Sequence, residues 1–258
     1  MLVCLPLEDS GFANAFSTRL GGVSQMSSET PTDLNLAGYD EDAAENIEEN
    51  RRRFLAALGG DFALATAWQV HGDSIKVVRT PEDAASTEER HDALTASMPG
   101  LLIGVKTADC VPILLGDPKT GTYAAVHAGW RGTAASIAAK ALAVMEREFG
   151  VSPADVIAAI GPAACGRNYE IGQDVIDAFA ANFSSSEKYF VPTREGHALV
   201  DLHAASRDQL IAAGLEPQNI FTAPLCTMER NDLFFSYRVE KKRYGKTGRL
   251  MSVIGRRA

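Results

Sequence analysis

The chain alternates apolar runs with polar punctuation, and the period of each run predicts its element. Over residues 41–58, Ala44, Ile47, Phe54, Leu55 and Leu58 fall on one side of a helix, with Asp40 as the expected N-cap and Gly59-Gly60 as the stop. Residues 134–148 (AASIAAKALAVMERE) are dense in strong helix formers and lie between Thr133, the expected cap, and Gly150. Shorter amphipathic helices are predicted over 173–182 and 203–213, the second ending at Gly214. Strands are predicted at 74–78, 101–106, 112–117, 122–127, 156–160, 198–202, 219–223 and 250–255. Several are unbroken apolar runs, as strands covered on both faces require. Their alternation with helices predicts a layered α/β fold.

The polar stretches 24–35, 80–92 and 184–197 read as exposed loops, because periodic apolar segments resume within a few residues of each. With no internal repeat or low-complexity tract, a single domain over residues 1–258 is expected. Composition narrows the class: 46% hydrophobic and 22% charged residues describe an ordinary globular protein. Twenty-five Lys+Arg against 33 Asp+Glu give a net charge of −8, an acidic surface that repels phosphate backbones, so no nucleic-acid partner is expected. The apolar runs are too short and interrupted to span a bilayer, and Glu8 and Asp9 come too early for a signal peptide. No membrane partner is expected. The four cysteines, at 4, 110, 165 and 226, form no CxxC, which fits a reducing, cytoplasmic setting.

Chemistry concentrates at strand ends, where α/β proteins place ligands. Asp109 and Cys110 break two buried-looking strands in 105-VKTADCVPILL-115; His127 ends a strand before 129-GWRG-132; His71 sits in a turn beside Gly72. Two imidazoles and a thiolate form a good zinc ligand set, and three protein ligands leave the fourth position open. The irregular spacing matches no finger or ribbon. Each residue also has a plainer reading: Cys110 as a small buried hydrophobe, His127 as a core histidine, His71 as a turn residue. His91, His197 and His203 read as solvated, and Cys4 and Cys226 as packing residues; Cys165, in 161-GPAACGRNYEIG-172, stays open. In 127-HAGWRGTAAS-136 the glycines, a helix start and Arg131 make a corner suited to phosphate. Capping by Thr133, with Arg131 in solvent, is the alternative. The basic run 241-KKRYGKTGR-249 reads as a solvated connecting loop that could close over an anionic ligand.

The strings 17-STRLGGVS-24, 34-LNL-36, 68-WQVHG-72, 108-ADCVPILL-115, 127-HAGWRGT-133, 161-GPAACGRNYEIG-172, 226-CT-227, 234-FFSYR-238 and 247-TGR-249 together resemble the YfiH family. They run in order from about residue 12 to 253. That family has been described as laccase-like polyphenol oxidases, as purine nucleoside phosphorylases and as peptidoglycan editing factors. The resemblance implies a single α/β/β/α domain and a metal site of His71, Cys110 and His127, with Zn2+ as the cofactor and copper the weaker choice. It also implies phosphorolysis of adenosine, inosine, guanosine and methylthioadenosine, and hydrolytic deamination of adenosine. The expected partners are then a purine nucleoside and phosphate, in a monomer or weak homodimer. On this basis Asp109 and Arg131 are the expected catalytic residues, for proton transfer and phosphate, while Arg19 and Asn35 are expected to contact substrate. The chain departs from the family pattern at Cys165-Gly166, where Gly-Pro is common.

Three readings compete. A multicopper oxidase needs about ten histidines, and this chain has five. A metal-free hydrolase would use Cys110 as nucleophile and His127 as base. A zinc amidase would act on a UDP-linked muramyl precursor.

Overall fold

The computed structural model describes residues 1–27, 32–86 and 88–257. Positions 28–31 of the 24–35 loop, position 87 of the 80–92 loop, and residue 258 of the expected domain lie outside the described residues. The strands are β1 (Phe12–Phe16), β2 (Leu20–Ser24), β3 (Ala63–Thr66), β4 (Ile75–Val78), β5 (Ala93–Ala96), β6 (Leu101–Thr107), β7 (Val111–Asp117) and β8 (Thr122–Ala128). They continue as β9 (Ile157–Ile160), β10 (Glu170–Gly172), β11 (Phe190–Arg194), β12 (His197–Val200), β13 (Ile220–Thr222) and β14 (Leu250–Arg256). The helices are α1 (Leu5–Asp9), α2 (Ala44–Leu58), α3 (Pro81–Ala85), α4 (Trp130–Ala134), α5 (Ile137–Phe149), α6 (Gln173–Asn182), α7 (Leu202–Ala212) and α8 (Tyr237–Tyr244).

A six-stranded mixed sheet runs β13-β9-β7-β8-β5-β4, a four-stranded sheet runs β1-β14-β6-β3, and β10-β12-β11 form a small third sheet. The two-residue period of a strand explains the unbroken apolar runs. In β7, Val111, Ile113 and Leu115 join a core with Ile137, Ala141 and Met145 of α5, while Leu114 packs toward Ile103 and Val105 of β6. In β8, Ala124 and Val126 face the helices and Tyr123 and Ala125 the second sheet. The same alternation sends Leu102, Met251 and Val253 outward onto Phe54 of α2. The layers are therefore helix, sheet, sheet, helix, as expected. Each fully buried Leu, Ile or Val side chain in this stack contributes roughly 1.5–3 kcal/mol.

Several local expectations are corrected. The helix predicted at 134–148 is two helices, because Ser136 takes a left-handed conformation (φ 61°) between α4 and α5. Gly129, not Thr133, precedes α4; Thr133 lies inside it. Helix α2 starts behind Ala43 rather than Asp40, its entry fixed by Asp42 accepting the Ala43 N–H at 2.9 Å. The 80–92 loop contains α3, held by a reciprocal cap between Thr80 and Asp83. The 184–197 loop contains the exposed strand β11, which carries no apolar period because only its backbone is used in pairing with β12. Residues 241–244 form the last turn of α8, which Gly245 ends at φ 75°.

Candidate metal centre

Cys110 stands immediately before β7, and His127 near the end of β8. The antiparallel register sets Val111 opposite Ala128 and Pro112 opposite His127, so the cysteine and the histidine share one sheet edge. His71 comes from the turn before β4, at the other flank of the same sheet, and adopts φ 60°. The donor atoms of His71, Cys110 and His127 all lie within 4.8 Å of one another. The two imidazoles meet edge to face at 4.9 Å between centroids.

One carboxylate that the sequence reading missed organises this cluster. Asp92 is fully buried, and its Oδ1 accepts from His127 Nδ1 at 2.8 Å and from the His71 N–H at 2.9 Å. Its Oδ2 accepts from the N–H groups of Gly72 (2.7 Å) and Val70 (3.2 Å). Its carbonyl oxygen also accepts the His127 N–H at 2.8 Å. One side chain thus shapes the left-handed turn under His71 and fixes the His127 tautomer, leaving Nε2 as the nitrogen available to a metal. Burial works against the Asp92 charge, yet His127 and the Gly72 and Val70 N–H groups hold its carboxyl below the usual range.

The electrostatics suit a cation. Burial opposes a thiolate at Cys110, but His127 and His71 bring its thiol down to about 6. Burial likewise opposes an imidazolium at His127, but the Cys110 thiolate and Asp92 raise it to about 9. The protons held there are those that a divalent metal would replace. Space is reserved as well. A methyl group on Gly129 would stand 3.0 Å from Cys110 Sγ and 3.1 Å from His71 Cδ2, and one on Gly132 would stand 2.9 Å from the Gly72 carbonyl oxygen. The 129-GWRG-132 glycines are therefore cleared for the ligands and for the His71 turn. The donor set, its spacing and this clearance fit a three-ligand metal site.

The other expected residues fall in two groups. Asp109 takes φ 89°, and its buried carboxylate accepts from Thr227 Oγ1 and from the Arg238 N–H, both at 2.7 Å. Burial pushes this carboxyl up. Arg131 is exposed, and its guanidinium stacks on Trp130 at 4.1 Å. Arg19 and Asn35 lie elsewhere in kind. Arg19 is only 2% exposed, paired with Asp33 (2.8 Å) and Glu240 (2.6 Å) and laid over the Phe235 ring at 4.6 Å. Asn35 is fully buried, donating to Asp42 at 2.9 Å and accepting the Arg249 N–H at 2.8 Å. Both residues, expected to contact substrate, have buried protein partners.

The three remaining histidines are half-buried rather than solvated. His91 bonds to Ser74 Oγ at 2.7 Å, and His197 Nδ1 lies 2.9 Å from the Glu195 carbonyl oxygen. His203 Nε2 contacts the Gly161 carbonyl oxygen at 3.0 Å, and burial lowers its affinity for a proton. Among the described residues no helix is long and apolar enough to cross a membrane.

Comparison with known proteins places this site in context. Residues 13–257 match the family model described as "Multi-copper polyphenol oxidoreductase laccase". A Deinococcus radiodurans protein named purine nucleoside phosphorylase is 38% identical, covering 94% of this chain and 88% of its own. The Escherichia coli protein named purine nucleoside phosphorylase YfiH is 35% identical, covering 96% and 95%. A protein named adenosine deaminase RL5, from an unknown prokaryote, is 35% identical over 87% of each. Among solved structures, YlmD of Geobacillus stearothermophilus superposes with a TM-score of 0.88 at 32% identity, covering 96% of this chain and 93% of that one. This chain belongs to the YfiH family.

Proposed function

We propose that this protein is a zinc-dependent purine nucleoside enzyme, cleaving adenosine, inosine, guanosine and methylthioadenosine by phosphorolysis and deaminating adenosine by hydrolysis. The observation that carries the reading is the convergence of His71, Cys110 and His127 around the cleared face of Gly129. The names carried by the relatives supply the substrate class. His71, Cys110 and His127 would hold the zinc, which would supply Lewis-acid activation of an oxygen nucleophile.

The chain's own groups do the rest. Arg131, exposed on the 129-GWRG-132 segment whose Gly129 lies against Cys110 and His71, orients phosphate for attack on ribose C1′ as the bond to the purine breaks. Asp109, whose burial favours the protonated carboxyl, delivers the proton that the departing purine nitrogen needs. Thr227 and the Arg238 N–H hold that carboxyl in place. Arg19 and Asn35 support the site only by holding its surrounding segments together.

The test is metal content of the purified protein together with adenosine turnover, with and without phosphate. Zinc near one per chain, with free adenine only when phosphate is present, supports the phosphorylase; inosine without phosphate supports the deaminase. Zinc with no purine turnover overturns the substrate assignment and points to the muramyl precursor.

Asp92 behind His127 also favours a second reading, a Cys110–His127–Asp92 hydrolase working without metal. Activity that survives chelation and complete loss of metal would establish it in place of the first.

A further inference from the structure

Outside the metal centre, the described residues bring a second pair of cysteines together. Cys226 is buried and Cys165 half-buried, and their sulfurs, with a Glu229 oxygen, lie within 4.8 Å of one another. The backbone sets this distance. Ala163 and Cys226 form a parallel bridge, in which Thr227 N–H donates to the Ala163 carbonyl oxygen at 3.0 Å. The turn that follows is tight: the Cys165 carbonyl oxygen accepts the N–H groups of Asn168 (3.0 Å) and Tyr169 (3.1 Å). A methyl group on Gly166 would stand 2.8 Å from Asp201 Cβ, so this turn is packed against its neighbour. The Cys165 N–H points at Cys226 Sγ from 3.2 Å.

Glu229 is not a free metal ligand. Both its oxygens are taken by the Arg167 guanidinium, at 2.6 and 2.7 Å, and the Asn168 amide adds a third bond at 2.7 Å. Two sulfurs remain: the Cys165 N–H is directed at Cys226 from 3.2 Å, and the Asn168 amide reaches both, Cys165 at 3.3 Å and Cys226 at 3.7 Å. Burial opposes a thiolate at Cys226, but bonds from the Cys165 side chain and N–H and from the Asn168 amide lower its thiol; that of Cys165 is raised to about 11, first by burial and then by its bond to Cys226. Access is provided on the Cys165 side, which lines a surface cleft of about 380 Å³ with Gly166, Arg167, His203 and Pro224.

We propose that Cys165 and Cys226 are a modification site: a dithiol that a peroxide converts to an intramolecular disulfide. The Cys226 thiolate displaces water from the peroxide, with uptake of one proton, and becomes a sulfenic acid. The Cys165 sulfur then attacks Cys226, forming the S–S bond and releasing a second water. Two electrons leave the sulfurs and reduce the O–O bond. The two sulfurs start within 4.8 Å of each other, on segments joined by the Ala163–Cys226 bridge. The inference stands apart from the nucleoside reading and uses neither zinc nor turnover.

The experiment exposes the full, reduced chain to increasing hydrogen peroxide and follows intact mass, free thiols and the peptide map. The expected product is lighter by two hydrogen atoms, has lost two alkylatable thiols, yields a Cys165–Cys226 cross-linked peptide and is restored by dithiothreitol. In Cys165→Ser, a change at a half-exposed position that leaves the fold intact, the cross-link is absent and Cys226 stays alkylatable or gains oxygen. Oxygen addition at either cysteine of the parent chain without a cross-link overturns the proposal. So does a disulfide that joins Cys110 or Cys4 instead.

Discussion

The buried network around Arg19 and the cluster around Cys110 are built from the same materials and do opposite things. Both gather charged or polar groups from segments far apart in the chain, and both carry short strings that resemble family motifs. Around Arg19 the charges neutralise one another: Asp33 and Glu240 take the guanidinium, and Thr247 donates to Glu240 at 2.6 Å. Around Cys110 the organising carboxylate stands behind the donors, bonding His127 and three backbone N–H groups, while the donor atoms converge on space that Gly129 keeps open. Buried polarity turned on itself is architecture. Buried polarity whose donor atoms face a common point is a site.

That contrast can be broken by mutation. Cys110→Ala should have the largest effect: loss of stoichiometric zinc and a fall in nucleoside turnover beyond the roughly 10–100-fold that follows loss of an outer hydrogen-bond partner. Its unfolding midpoint should stay near that of the parent. Elemental analysis, turnover and a urea titration decide this together, and retained turnover without metal would shift the site to the cysteine hydrolase.

Arg19→Met should show the reverse pattern. Leaving Asp33 and Glu240 buried without their cation should cost roughly 3–5 kcal/mol in chemical denaturation, while the folded fraction keeps its zinc. A stable Arg19→Met protein with a raised KM for phosphate would return Arg19 to the substrate site.

Asp92→Asn keeps the side-chain shape but removes the charge behind His127. Zinc affinity, measured by competition with a chelator, should weaken by about 10–100-fold. An unchanged affinity would show that Asp92 serves only the turn under His71. The smallest effect is expected at Arg131→Ala. This guanidinium is exposed, so the KM for phosphate should rise only about 2- to 5-fold, with zinc content unchanged.

The layered fold was legible because its strands and long helices obey their own periods. The runs over β6, β7, β8 and β14 were found within a residue or so of their ends, and α6 over its full length. Strands β1, β2, β3, β5, β10 and β11 escaped notice: they are three to five residues long, too short to establish a period against neighbouring polar residues. The break at Ser136 also escaped, because a helix-rich composition conceals one residue with a left-handed φ. The candidate ligands stood out as polar groups in the turns and at the ends of apolar strands. Asp92 gave only a faint signal, an acidic residue at the seam between a polar stretch and the apolar 93-ALTA-96. Its value lies in what its two oxygens reach across some twenty and thirty-five positions of chain.

The sequence by itself determined the alternation of apolar faces, hence the stacked sheets and helices, and the supply of His71, Cys110 and His127 at strand ends. These are local properties, fixed by residue type and by the period of the backbone. Only the tertiary structure decided that these three converge, that Asp92 fixes them from behind, and that Arg19 and Asn35 face protein. Convergence depends on strand register and on which atoms fill the space between segments, and both are set by packing between residues distant in the chain.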